Sequence, residues 1–349
     1  MKVASLLLFC AAAWLFQASA FARSVGFSRI LVPDGTDPPL EVGIWYPTAA
    51  VPRPTRIGLF TQQVAPEAPV EGAPVEGAPV EGAPVGGSRL PLVVILHGQS
   101  GDFVGHGDTA LALAGFVAAA LTHTGDNYRD QSRALDMAAR PRQLHVLVDA
   151  MIGHWAGGVV DASRVGAFGF SSGGFTVLTL AGGNPRLSLV GPHCEAHPDF
   201  FDCRLIAAHR QAGTPAVAAP AHFTHDVRIR AIVVAAPALG FTFMPHGLDG
   251  VTIPVQLWRA GDDDILPSPL YAEAVAAALP RPPEMHVVPH ARHYDFLAPC
   301  PDALARIAPA ICTSEAGFDR AAFHRSFDTE VVAFFTHALA PEPGGAAHP

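Results

Sequence analysis

The segment 164–174, with the sequence RVGAFGFSSGG, constrains the fold more than any other part of the chain. Its apolar first half is typical of a buried strand, and its second half is a G-x-S-x-G turn centred on Ser171. In such a turn a strand passes sharply into a helix, and glycines flank the serine because a Cβ would collide with a neighbouring strand or helix. The pattern predicts that the Ser171 hydroxyl is raised above the sheet edge.

A serine hydroxyl is a poor nucleophile, so it needs a base to accept its proton and a carboxylate to orient that base. Two later segments can supply these groups. The apolar run 253–260 predicts a strand that ends in an acidic loop, 261–267. The run 285–289 predicts another strand, which leads into a loop with two histidines. The three groups would then meet above the ends of successive strands.

The acidic loop contains three consecutive aspartates, which cannot all point into one site because like charges so close raise each other's pKa. Asp263 is the preferred acid because it precedes Pro267 by four residues, in a D-x-h-h-P spacing in which h is apolar. Counting from Gly261 favours Asp264 instead, so that alternative stays open.

The preferred base is His293, which lies directly before Tyr294 in a slot similar to a G-x-G-H-x segment. His290 and Arg292 stand where small residues are usual in that segment. His290 therefore remains a second candidate for the base.

Acyl transfer creates an oxyanion that needs about two N–H donors. The backbone N–H of Ser172, directly after the nucleophile, is the first candidate. The run 92–96 predicts a buried parallel strand that ends in the loop 97–101, and we expect the N–H of Gln99 in that loop to be the second donor. The same loop begins with His97, which has an alternative, structural interpretation: its imidazole would brace the loop rather than take part in a site.

The chain resembles the bacterial α/β-hydrolases described as predicted dienelactone hydrolases, which are relatives of platelet-activating factor acetylhydrolase. The resemblance implies an α/β-hydrolase fold and a serine esterase with Ser171, Asp263 and His293 as its triad. True dienelactone hydrolases use a cysteine nucleophile, so dienelactone hydrolysis is not expected. The matching segments are 96–98, 121–128, 155–157, 163–174, 263–267 and 290–300.

One matching segment follows the predicted strand that ends near Thr122. Its polar residues His123, Asp126 and Asn127 lie in a loop after a strand, where binding residues are common. We expect them to line the rim of the site and contact substrate.

Apolar runs of strand length alternate with helical stretches along the chain, which predicts an α/β fold with a mostly parallel central sheet and helices on both faces. At 349 residues, half of them hydrophobic, the chain can bury a sizeable core. We expect a single domain over residues 23–349. The further predicted strands are 41–46, 116–121 and 229–235, and the further predicted helices are 269–278 and 318–337.

The first 22 residues have the charged start, apolar middle and small-residue end of a signal peptide. Cleavage after Ala20 or Ala22 is expected, and it predicts a periplasmic or secreted protein. A membrane anchor is the alternative, but the apolar run from Val3 to Phe16 is shorter than the roughly 20 residues that a spanning helix needs. Cys10 follows Phe9, which is too bulky for a lipidation site.

Four cysteines remain after the predicted signal peptide, an even number that suits an oxidising compartment. Three pairings are possible. We favour Cys194 with Cys203 and Cys300 with Cys312, since each pair closes a short local loop.

A metal site is the competing interpretation of the first pair, because five possible ligands lie close together in sequence. Their spacing matches no standard zinc pattern, and serine acyl transfer needs neither a metal nor another cofactor. The five residues are His193, Cys194, Glu195, His197 and Cys203.

Two segments are expected to lie outside the sheet and its helices. The region 66–87, with three EGAPV units, is too rich in proline and glycine for a helix or a ladder, so we expect a loop without a catalytic role. The segment 182–226 follows the predicted nucleophile helix, where a cap over the acyl pocket is common. Four aromatic residues are candidates for substrate selection. Phe200, Phe201 and Phe223 lie within this segment, and Phe241 lies after it.

The net charge of −9 and the absence of a basic cluster in the sequence argue against nucleic acid or anionic membranes as partners. We expect an exported carboxylic ester hydrolase that acts on small or short-chain esters, lipid-derived ones included. A polyester or cutinase-like hydrolase is the near alternative, and a non-catalytic binding protein on the same fold is the alternative from another class. The expected partner is a small-molecule or lipid ester, and the oligomeric state stays open.

Overall fold

A computed structural model of the chain describes residues 23–73, 89–213 and 222–341. The predicted signal peptide, residues 74–87 of the repeat region and residues 214–221 of the predicted cap segment lie outside the described residues. The strands are β1 (Ser24–Asp34), β2 (Asp37–Thr48), β3 (Arg53–Ile57), β4 (Phe60–Pro66), β5 (Leu90–Leu96), β6 (Val117–Thr122), β7 (Val160–Phe170), β8 (Ile229–Ala235), β9 (Val255–Ala260) and β10 (Glu284–Val288). The helices are α1 (Gly107–Ala112), α2 (Ala139–Gly153), α3 (Ser172–Leu180), α4 (Val190–Ala196), α5 (Phe201–Gln211), α6 (Ala272–Ala278), α7 (Asp302–Ile307), α8 (Pro309–Cys312) and α9 (Arg320–Ala338).

The described strands form one sheet in the order β10-β9-β8-β7-β5-β6-β2-β1-β4-β3. Strands β5 to β10 run parallel, and β2 pairs antiparallel with β6 on one side and β1 on the other. Every residue of β5 and β6 is buried, as expected for strands covered on both faces. The carboxyl ends of β7, β9 and β10 therefore lie at one edge of the sheet.

Helices cover the sheet on both faces and bury two separate apolar layers. The layer on one face includes residues of α2, α3 and α6, and the layer on the other face includes residues of α1 and α9. Helix α9 buries Phe327, Val331 and Phe335, spaced four residues apart, and the Asp319 carboxylate caps its first turn by accepting from the Ala322 N–H at 2.9 Å. This arrangement confirms the predicted fold class.

The part of the sheet beyond β2, which consists of β1, β4 and β3, was not predicted from the sequence. Strands β3 and β4 pair as an antiparallel hairpin, and β4 joins β1 through a short parallel contact. Most side chains of β3 are exposed, so the hairpin lacks the apolar run by which strands are found in a sequence. Pro54 is tolerated because β3 is the outermost strand. No helix in the described ranges is both long enough and apolar enough to cross a membrane.

His106, just before α1, lies in the layer that α9 covers. Its side chain packs edge-on against Phe168 and Phe170, and the residue is 1% exposed. Burial lowers the pKa of His106 to about 4, although the nearby Asp108 carboxylate raises it. The folded protein therefore keeps this ring neutral, whereas the unfolded chain takes up a proton below about pH 6.5.

We expect His106→Leu to stabilise the protein increasingly as the pH falls. The wild type loses stability between pH 6.5 and pH 4 through this group, so the difference in unfolding free energy should grow by about 2 kcal/mol from pH 7.5 to pH 5. Urea unfolding of both proteins at several pH values measures this difference in unfolding free energy. His154 lies on the surface, and His154→Leu is the matched control. A difference that stays constant with pH would contradict the prediction.

Candidate active site

Ser171 occupies the sharp turn between β7 and α3. Its backbone is in an uncommon conformation, with φ 55° and ψ −117°, and its N–H donates to the Ala235 carbonyl at 2.9 Å. A Cβ on Gly169 would lie 2.2 Å from the carbonyl oxygen of Gly173, so the turn requires glycine at this position. The hydroxyl is thus held at the carboxyl end of β7, as the G-x-S-x-G pattern predicts.

The imidazole of His293 lies between the Ser171 hydroxyl and a carboxylate. Its Nε2 is 3.1 Å from Ser171 Oγ, and its Nδ1 is 2.9 Å from Asp263 Oδ2. The ring packs on Phe170 with centroids 4.8 Å apart, and His293 is 1% exposed. Ser171, His293 and Asp263 therefore form one hydrogen-bonded chain, the arrangement that activates a serine hydroxyl.

Backbone contacts decide which aspartate faces the imidazole. Asp263 Oδ1 accepts the N–H groups of Ile265 and Leu266 at 3.0 and 2.7 Å, which leaves Oδ2 for His293. Asp264 is exposed. The loop geometry brings Asp263 into the site and turns Asp264 away from it.

The second histidine of the same segment points elsewhere. The side chain of His290 is 81% exposed, and its Nδ1 lies 3.4 Å from a carboxylate oxygen of Asp262. His290 is therefore on the surface, apart from Ser171.

The two expected oxyanion donors lie on adjoining elements. Ser172 is the first residue of α3, and Gln99 belongs to the loop after β5; both line the cavity above Ser171. The loop packs tightly on the turn, because a Cβ on Gly173 would lie 2.5 Å from the carbonyl oxygen of Leu96 and one on Gly98 would lie 3.2 Å from Ser171 Cβ. The N–H at the start of α3 is suited to bind an anion.

His97 braces this loop from below. Its Nε2 accepts the backbone N–H of His123 at 3.0 Å, and the two rings pack edge-on. Burial lowers the pKa of both imidazoles well below the ordinary value, and the positive charge of Arg140 lowers both further. Both rings are therefore neutral near pH 7. His97 braces the loop, as its structural interpretation predicted.

The three residues expected at the rim lie behind the loop rather than on the cavity wall. His123 Nδ1 contacts the Gln143 side-chain oxygen at 2.8 Å, and Asn127 donates to the His123 carbonyl at 2.8 Å. Asp126 pairs with the guanidinium of Arg140. Each of the three is less than 10% exposed, and none belongs to the described cavity lining. The strand end locates their loop correctly, but the loop folds back and buries their side chains.

A cavity of about 840 Å³ opens above Ser171, and its lining is largely apolar. Three elements outside the triad contribute large apolar side chains to its walls. They are the hairpin turn with Leu59 and Phe60, helix α5 with Phe201, Leu205 and Ile206, and the segment 300–311 with Leu304, Ile307 and Ile311.

Helix α5 lies within the segment predicted as a cap, and it contributes to the cavity wall. Of the four phenylalanines considered for substrate selection, Phe201 alone belongs to the described lining. Phe200 stacks on His197 at 4.6 Å, Phe241 stacks on His193 at 3.8 Å, and Phe223 packs on Phe175 at 6.5 Å. These three rings pack against neighbouring aromatic rings and do not belong to the described cavity lining.

Disulfides join Cys194 to Cys203 and Cys300 to Cys312, the pairing that the sequence favours. The first bond links α4 to α5, and the second closes the segment that carries α7 and α8. Cys194 and Cys203 are therefore not free thiolates, which removes the two sulfur ligands from the metal-site interpretation. Both bonds stabilise parts of the chain that surround the cavity.

Comparisons with known proteins agree with this architecture. A ferulic acid esterase from Streptomyces cinnamoneus superposes with a TM-score of 0.59 at 19% identity, covering 95% of this chain and 94% of that one. A dienelactone hydrolase-like promiscuous phosphotriesterase from metagenomic libraries superposes with a TM-score of 0.51 at 18% identity, covering 91% and 100%. The chain has an α/β-hydrolase fold. No protein-family model matches it, and no curated protein matches it in sequence.

In α/β-hydrolase folds the catalytic groups follow the chain order serine, acid, histidine. Ser171, Asp263 and His293 follow this order after β7, β9 and β10. Sequence reasoning missed one buried residue beneath the site, Arg140. Its contacts lie 14, 36 and 43 residues away along the chain, so no local pattern marks it.

Proposed function

We propose that the protein is a serine hydrolase of carboxylic esters. The observation that carries the proposal is the hydrogen-bonded chain from Ser171 through His293 to Asp263 at the floor of an apolar cavity. A serine and a histidine can meet by chance. A carboxylate on the far nitrogen, two adjacent backbone donors and a ligand-sized cavity give the pair the parts of an acyl-transfer site.

The mechanism follows from these positions. His293 Nε2 accepts the Ser171 proton as Oγ attacks the ester carbonyl, and Asp263 stabilises the resulting imidazolium. The N–H groups of Gln99 and Ser172 hold the oxyanion of the tetrahedral intermediate. His293 then donates its proton to the departing alcohol. In the second half, a water molecule gives a proton to His293 Nε2 and attacks the acyl carbonyl, and Ser171 Oγ leaves with that proton as the carboxylic acid is released. The chemistry requires no cofactor.

The cavity supports esters with an apolar acyl or alcohol part. Its volume of about 840 Å³ lies within the roughly 300–1,000 Å³ usual for small-molecule sites. Small and short-chain esters fit, and so does a lipid-derived ester of moderate length. Helix α5 and the segment 300–311 wall the cavity on two sides, which favours a soluble ester over a polymer surface. The structural similarity to a ferulic acid esterase adds support for an ester as substrate.

We propose a periplasmic or secreted location, for which the two disulfides give support. The net charge of −9 supports a small-molecule partner over nucleic acid.

The test is covalent labelling by a fluorophosphonate together with hydrolysis of p-nitrophenyl esters from acetate to palmitate. We expect the oxidised protein to label at Ser171 and to hydrolyse the shorter esters, with Ser171→Ala as the unlabelled control. The rate should fall once the acyl chain exceeds the length that the cavity accepts. A folded protein that neither labels nor hydrolyses any ester would instead be a binding protein on this fold, and turnover of a solid polyester alone would favour the cutinase-like alternative.

A further inference from the structure

A single buried arginine connects the two elements that would hold the oxyanion. Arg140 lies in the first turn of α2, and it is 2% exposed. Its guanidinium donates to the carbonyl of His97, to a carboxylate oxygen of Asp126 and to Thr176 Oγ1, the last at 3.2 Å. Each of the three nitrogens of the guanidinium thus donates a hydrogen bond, and the three acceptors lie in different parts of the fold.

Two of these contacts fix the loop that carries the Gln99 N–H. Arg140 binds the carbonyl of His97, two residues before Gln99. The second oxygen of Asp126 accepts the backbone N–H of Ser100, directly after Gln99, at 3.0 Å. The ion pair of Arg140 and Asp126 therefore holds the backbone on both sides of the Gln99 N–H.

The third contact fixes the helix that carries the Ser172 N–H. Thr176 Oγ1 accepts from Arg140 Nε at 3.2 Å and donates to the carbonyl of Ser172 at 2.7 Å. A displacement of Arg140 would therefore reach the first turn of α3 as well as the loop after β5.

The complete burial of this charge needs an explanation beyond stability. Burying an ion pair carries a desolvation penalty, and a well-packed apolar pair of similar size often stabilises a fold equally well. A planar guanidinium can instead hold three acceptors in fixed directions at once, which no apolar side chain can do. The geometry therefore favours a role in alignment.

We propose that Arg140 is a positioning residue that aligns the two oxyanion donors, Gln99 and Ser172, through His97, Asp126 and Thr176. This inference rests on the proposed ester hydrolysis. The role is distinct from those of the triad, because Arg140 acts through the loop and the helix rather than on the substrate.

The first test compares two threonines of α3. Thr176→Val removes the link between Arg140 and the Ser172 carbonyl. Thr179 is the matched control: it is equally buried, its hydroxyl donates to the Phe175 carbonyl at 2.9 Å, and none of its described contacts is with Arg140. Turnover of p-nitrophenyl butyrate and affinity for an aryl boronic acid, which forms a tetrahedral adduct on serine, are the two readouts.

We expect Thr176→Val to lower kcat by about 10- to 100-fold, with KM within about twofold of the wild type, because a misplaced donor weakens the transition state more than the substrate complex. Boronic acid affinity should fall by a similar factor. Thr179→Val should keep kcat within about threefold, and Thr176→Ser should restore it. Equal kcat in the two valine variants would overturn the proposal.

A second comparison covers the case in which Thr176→Val does not fold. Arg140→Lys keeps the positive charge beside Asp126 but cannot span three acceptors. Arg142→Lys, on the surface of the same helix with its side chain 38% exposed, is the control. Hydrogen exchange of peptides that contain residues 97–101 should accelerate in Arg140→Lys alone, and kcat should fall in that variant alone.

The two readouts separate the two proposals. A wild type without Ser171-dependent turnover would overturn the proposed function, and with it the catalytic part of this inference, while exchange would still report whether Arg140 holds the loop. Unchanged exchange in Arg140→Lys would overturn the positioning role even in an active enzyme.

Discussion

Replacing His293 by alanine is expected to lower kcat/KM for ester hydrolysis on the order of 10⁴- to 10⁶-fold, because the serine then has no base within reach. His290→Ala, three residues earlier, should leave kcat/KM within about twofold, since that side chain is 81% exposed and faces Asp262. The measurement is initial rates on p-nitrophenyl butyrate with folded, oxidised protein.

The same logic separates the neighbouring aspartates. Asp263→Asn should lower kcat by about 10⁴-fold, because an amide no longer stabilises the imidazolium or fixes its tautomer. Asp264→Asn should have little effect, since Asp264 is exposed. If Asp264→Asn loses activity while Asp263→Asn stays active, the acid has been assigned to the wrong aspartate. If His290→Ala loses activity while His293→Ala stays active, the base has been assigned to the wrong histidine.

Replacing Asp126 by asparagine is expected to lower the free energy of unfolding by about 3–5 kcal/mol, because the Arg140 charge then stays buried without a counter-ion. The two side chains are 4% and 2% exposed, so solvent cannot replace the lost carboxylate. Guanidinium unfolding at pH 7, followed by circular dichroism, measures the change. Combining Asp126→Leu with Arg140→Met should recover much of the stability, since no charge is then buried.

A surface ion pair provides the control for this comparison. Asp37 lies 2.9 Å from Arg133 and 2.8 Å from Arg142, but its side chain is 35% exposed. Asp37→Asn should therefore change the unfolding free energy by less than about 1 kcal/mol. Similar losses in Asp126→Asn and Asp37→Asn would mean that burial does not decide the contribution of these pairs.

The parts of the fold that the sequence predicts are those encoded over a few adjacent residues. The G-x-S-x-G turn predicts a strand, a tight turn and a helix, and β7, Ser171 and α3 have this order. The apolar run of β5 predicts a buried parallel strand because both of its faces are covered. The hairpin of β3 and β4 escaped prediction since its exposed positions leave no apolar pattern.

The choice among adjacent site residues depends on loop geometry, which a sequence pattern does not specify. Asp263 rather than Asp264 faces His293 because its other oxygen caps the N–H groups of Ile265 and Leu266. His123 was expected at the rim, but its side chain is buried behind the loop for a related reason. Position after a strand locates a loop, but not the direction of its side chains.

The two ends of the repeat insert meet at one place in the fold. At its N-terminal end, the Glu71 N–H donates to the Pro47 carbonyl at 2.9 Å, and a Cβ on Gly72 would lie 3.9 Å from the Val159 side chain. After it, the Leu90 N–H donates to the Val159 carbonyl at 2.8 Å. Leu90 begins β5 and Val159 directly precedes β7, so this place is at the sheet edge opposite Ser171.

We therefore expect a change in the number of EGAPV units to cost little stability, because doubling the length of a flexible loop adds only about 0.6 kcal/mol of closure entropy. The same position suits engineering. A fluorescent protein or an immobilisation tag spliced between Ala73 and Arg89 would leave the molecule on the side away from the cavity, with the entrance to the cavity facing the solution.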